Sequence, residues 1–92
     1  MNSLNQAIYN WLTIKLVADG RKEDFAAKET VSLFEEILHS EYKVFNKELM
    51  INDRFYIVNV DTSEGKKTFQ FSKDVAESLL NFIEQHEEKF TK

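Results

Sequence analysis

Residues 42–71 read YKVFNKELMI, NDR, FYIVNVD, TSEG, KKTFQF. Three segments rich in aromatic and β-branched residues, about Tyr42 to Ile51, Phe55 to Asp61 and Lys66 to Phe71, are set apart by two turn-forming clusters. Asn52-Asp53-Arg54 and Thr62-Ser63-Glu64-Gly65 are too short to carry a parallel crossover, so the three segments must form an antiparallel meander. Within it, Tyr56, Val58 and Val60 point one way and Phe55 and Ile57 the other, while Phe69 and Phe71 share a face opposite Thr68 and Gln70. The first strand has a potential interruption at Asn46-Lys47.

Upstream, the period changes from two to 3.6. Leu4, Ala7, Ile8, Trp11, Ile14 and Ala18 fall on one helical face, with Asn2 or Ser3 as N-cap and Gly20 as stop. Tyr9, Leu12, Leu16 and Val17 widen the apolar arc until only Gln6, Asn10 and Thr13 stay polar, which predicts a central helix buried on two sides. A second helix, capped by Asp24, presents Ala27, Thr30, Val31, Phe34, Ile37 and Leu38 inward and Lys28, Glu29, Ser32, Glu35, Glu36 and His39 outward. Phe25 falls outside this pattern. Downstream, Ser72 caps a last helix whose stripe is Val75, Ala76, Leu79, Leu80, Ile83, His86 and Phe90, with Asp74 in the first turn.

The pattern defines one α+β domain over 1–92, with two N-terminal helices, a three-stranded antiparallel meander and a C-terminal helix (ααβββα). With 42% hydrophobic and 30% charged residues and no linker-like segment, the chain of 92 residues should fold around one core. It has no Cys, so neither a disulfide framework nor a thiolate nucleophile is available. Residues 1–6 lack a basic stretch ahead of an apolar run, and no segment approaches the roughly 20 apolar residues that span a bilayer, so residence in the cytoplasm and no membrane contact are expected.

The chemistry-bearing residues do not assemble into a known motif. Glu36 and His39 have a Glu-x-x-His spacing, but a di-metal bundle needs a second such pair and Ile83 stands three positions before His86. His86, near the end of the last helix, fits a carbonyl-bonding role. Residues 61–65 lack the alternating ligands and terminal Glu of a calcium loop, and two glycines cannot build a phosphate-cradling loop. No catalytic, cofactor-binding or metal-binding residue is therefore assigned.

Lys15 lies inside the apolar arc of the first helix and is expected to run its stem along the core and reach a carboxylate of a neighbouring helix, or else to serve an interface beside Trp11. Lys43, Lys47, Lys66 and Lys67 interleave with aromatic residues along the sheet, as in a nucleic-acid platform. The net charge of −4 disfavours nucleic acid, and lysines at sheet edges also prevent edge pairing.

Residues 8–21 (IYNWLTIKLVADGR), followed by Ala26-Ala27 and Thr30, resemble small uncharacterised cytosolic proteins of Bacillus-like bacteria. The resemblance covers the first third of the chain and implies no activity or catalytic residue, though Trp11 and Lys15 fall within it.

Both faces of the meander read as apolar, and three short helices cover both only if one crosses over. Either the first helix covers the second face or a partner does. The expected function is a protein-interaction or regulatory module that forms a homodimer, with Trp11, Lys15, Phe45, Met50, Phe55 and Ile57 as interface residues. The alternative is a nucleic-acid-associated regulator using Lys43, Lys47, Lys66 and Lys67 opposite an acidic helix face with Glu77, Glu84 and Glu88.

Overall fold

The computed structural model describes residues 3–90, with side chains placed through residue 85. The elements follow the order α1 (Leu4–Gly20), α2 (Phe25–Tyr42), β1 (Val44–Ile51), β2 (Phe55–Thr62), β3 (Gly65–Ser72), α3 (Lys73–Ala76) and α4 (Ser78–Phe90). The sheet is antiparallel in the order β1-β2-β3, so β2 is central and each strand neighbours the next in sequence.

Side-chain caps set the helix starts. Ser3 Oγ accepts from Gln6 N at 3.1 Å, Asp24 Oδ1 from Ala27 N at 3.0 Å, and Ser72 Oγ from Val75 N at 3.3 Å, each satisfying an amide the helix leaves unpaired. At the other end of α2, Lys43 takes the left-handed conformation with φ 59°, which lets α2 run through Tyr42 and delays the strand to Val44.

Both meander turns are closed by side chains. Asn52 Oδ1 accepts from the amides of Arg54 and Phe55 at 2.9 and 2.8 Å. In the second turn, Thr62 Oγ1 donates to Gly65 O at 2.9 Å and accepts from Glu64 N at 3.1 Å. Gly65 sits at φ +117°, with open space where a Cβ would stand, so backbone conformation alone resists substitution. Gly65→Ala is expected to cost about 1 to 2 kcal/mol in urea unfolding, with no change in the far-ultraviolet circular dichroism of the folded state.

One layer of helices covers one face of the sheet. Ile8, Trp11 and Leu12 of α1 and Leu38 of α2 pack with Val44, Tyr56, Val58, Val60 and Ala76, all buried. A smaller cluster joins Val17, Ala18 and Ala27 to Leu80 and Ile83 of α4. Leu80 reaches α1 over Gly20, where an added Cβ would lie 3.2 Å from its Cδ2.

Three local expectations change. Thr13, placed on the polar strip, is buried, and its hydroxyl is satisfied by donating to Asn10 O at 3.0 Å. The C-terminal helix is interrupted at Glu77, where Ser78 Oγ donates back to Val75 O at 2.8 Å, a bond that bends helices, and Glu77 is drawn to the Tyr56 hydroxyl. Its stripe is also split, because Leu80 and Ile83 pack on α1 while Val75 and Leu79 stay exposed. The side chains of His86, Glu88 and Phe90 lie outside the described residues.

Candidate interaction surface

Strand register sorts the sheet residues between two faces. Facing the helices are Lys47, Leu49 and Ile51 of β1, Tyr56, Val58 and Val60 of β2, and Lys67, Phe69 and Phe71 of β3. On the opposite face, four cross-strand rows run down the sheet: Asn46, Asp61 and Lys66; Glu48, Asn59 and Thr68; Met50, Ile57 and Gln70; and Phe55 with Ser72. None of these residues belongs to either core cluster. The first helix therefore lies on the same side as the second, and among the described residues no helix covers this face.

The polar half of the open face is tied together by its own bonds. Asn46 Nδ2 donates to Asp61 Oδ2 at 3.3 Å and Thr68 Oγ1 to Asn59 Oδ1 at 2.7 Å, while Asn59 Nδ2 lies 3.4 Å from Met50 Sδ. Next to it, Met50 is 50% exposed beside half-buried Ile57 and Phe55. The surface is thus held in place on its polar side and apolar on the other.

The structure redistributes the residues the sequence nominated for contact. Met50, Phe55 and Ile57 share the open face. Trp11 does not reach it: it is 3% exposed within the core, its Nε1 donates to Glu35 Oε2 at 3.1 Å, and Lys47 Nζ lies 5.7 Å from its ring centroid. Phe45 occupies a bulge between Val44 and Asn46, 57% exposed, with its ring edge-on to His39 at 6.0 Å. Lys15 is half-buried, yet its ammonium meets Asp19 of its own helix at 3.3 Å rather than a neighbouring helix, because an i+4 carboxylate is the nearer partner.

The four lysines of the nucleic-acid alternative do not share a face. Lys66 lies on the open face while Lys47 and Lys67 lie on the helix-facing side, as alternation requires of adjacent residues. Lys43 sits at the end of α2, donating to Ser40 O at 3.1 Å, and Lys67 pairs with Glu64 at 3.5 Å.

Elsewhere, a corner cleft is lined by Arg21, Lys22, Glu23, Asp24 and Glu84, but its charges oppose one another and Arg21 is 3.5 Å from Asp24. Among the described residues no three His, Asp or Glu side chains converge on a point a metal ion could occupy, and no helix is long and apolar enough to cross a membrane. His39 is exposed on α2. Among the described residues, the group with a displaced pKa is Tyr56, whose phenol is pushed up to about 12 by burial and then by the carboxylate of Glu77, to which it donates a hydrogen bond.

Comparison of the chain with protein-family models, curated proteins and solved structures gives no match. The likeness noted for its first third accordingly adds nothing to the assignment, which rests on the chain's own geometry.

Proposed function

We propose that the chain is a protein-interaction module that self-associates through the helix-free face of its sheet. The observation that carries this reading is the adjacency of Met50, Ile57 and Phe55 on a face without a helical layer, where aromatic and thioether side chains suit an interface core. The face measures about 14 by 26 Å from ideal strand spacing and rise, so two copies stacked on it would bury on the order of 1,000 Å² of accessible surface. That lies at the lower limit for specific association, the size range of weak and transient complexes.

Light scattering across a dilution series from about 1 mM to about 1 μM is expected to pass from dimer to monomer mass. Ile57→Lys places an ammonium at the centre of the contact and is expected to weaken the dimer about 100-fold while leaving the folded monomer intact, since Ile57 is outside the core clusters. A monomer at every concentration overturns the reading.

A further inference from the structure

We infer that two copies stack sheet on sheet with their two-fold axis running along β2, placing β1 of each copy over β3 of the other. This rests on the self-association reading and specifies how the copies meet.

Edge-to-edge pairing is opposed at both edges of the sheet. On β1, the bulge between Val44 and Asn46 breaks the ladder, and Lys47 points inward over Trp11. On β3, Lys66 and Lys67 put a charge on each side of the strand. Bulges, inward charges and edge lysines all hinder the addition of another strand. The open face has no such obstruction.

A two-fold between stacked sheets lies in the plane of contact, and for sheets packed with their strands aligned it runs either along the strands or across them. An axis across the centre of the face would exchange the rows, setting Phe55 against the partner's Asp61 and Ile57 against the partner's Asn59. Apolar groups would then be spent on polar ones that lose water without gaining bonds. An axis along β2 keeps each row over its own counterpart. Ile57 meets the partner's Ile57, Phe55 meets the partner's Phe55, Met50 covers the aliphatic stem of the partner's Gln70, and Glu48 and Asn46 lie over the partner's Thr68 and Lys66. Asp61 is the single like-charged group near this axis, and Lys66, its cross-strand neighbour, offsets it in each copy.

The absence of Cys from the chain permits a direct test. Single variants Ile57→Cys, Phe55→Cys, Glu48→Cys, Thr68→Cys and Met50→Cys are treated with a short bis-maleimide able to bridge the roughly 10 Å between stacked sheets, and covalent dimer is read on a denaturing gel. Ile57→Cys and Phe55→Cys are expected to link to themselves. An equimolar mixture of Glu48→Cys and Thr68→Cys is expected to give at least about fivefold more dimer than Glu48→Cys alone. Linkage of Glu48→Cys to Met50→Cys instead would establish the axis across the strands and overturn the proposal. A dimer by light scattering that links at none of these positions also overturns it while leaving self-association standing, whereas a protein monomeric throughout overturns both. Circular dichroism of each variant separates loss of contact from loss of fold, with Phe55→Cys standing in if Ile57→Cys is unfolded.

Discussion

Leu12→Ala is expected to remove about 3 kcal/mol of stability. Leu12 is fully buried where α1 meets the sheet, in the cluster containing Val58, Val60 and Leu38. Truncation removes transfer free energy and leaves a cavity that α1 cannot close, because both flanking turns are fixed by Ile8 and Val17, themselves buried. For a domain of this size the whole stability is on the order of 5 to 10 kcal/mol, so the variant should melt about 15 °C lower. Phe25→Ala is the matched control: Phe25 is 73% exposed and should cost less than about 1 kcal/mol. Equal losses from the two variants in urea unfolding would show that α1 is not the centre of the core.

The second large effect lies at alkaline pH. Tyr56 is buried beneath α3, and its hydroxyl donates to Glu77 at the break between α3 and α4. Its pKa rises from 10.0 to about 12, first because burial disfavours the phenolate and then because the carboxylate of Glu77 accepts its proton and repels its charge. A raised value means that the folded state holds the proton more tightly than the unfolded chain. The resulting stability is complete below pH 10 and is lost as pH rises through about 12. Near-ultraviolet absorbance should show one of the three tyrosines ionising near pH 12, and the urea midpoint should fall across the same window. Tyr56→Phe should abolish both that ionisation and the fall, at a cost of about 1 kcal/mol at neutral pH for the lost hydrogen bond. Glu77→Gln should lower the ionisation pH only in part, since burial remains. A stability curve for Tyr56→Phe that still falls between pH 10 and 12 would assign the effect elsewhere.

Local chemistry made much of this fold legible in the sequence. Asp24 and Ser72 declare helix starts by offering a side-chain oxygen to a free amide, and Asn52 and Gly65 declare turns through bonding and backbone freedom. The sheet face pairing Met50 with Ile57 follows from the two-residue period once β1 and β2 are placed. Even the separation of Lys66 from Lys67 was readable, because neighbours in a strand cannot share a face. What stayed hidden depends on tertiary partners. Lys43 ends α2 without a glycine to announce it, and Thr13 is polar yet buried because its hydroxyl finds Asn10 within the same helix. Trp11 reads as an interface anchor from the sequence, whereas its indole N–H donates to Glu35, a residue the helical pattern assigns to the outer face of α2. The side taken by α1 could not be read because its apolar arc fits either face of the sheet.

The strict succession of neighbours in this architecture bears on how quickly the chain can find it. α1 meets α2 through a short turn, and β1, β2 and β3 join through two more, so most ordering steps close small loops and lose little chain entropy. The steps that span the sequence are the docking of α1 on the sheet, with Ile8 and Leu12 in one cluster with Val58 and Val60, and the docking of α3 and α4 on α1, secured by Leu80 and Ile83 on Val17 and Ala18. The short turns favour early formation of the helix pair and the meander, and these long closures are the steps whose entropy must be met before their contacts form.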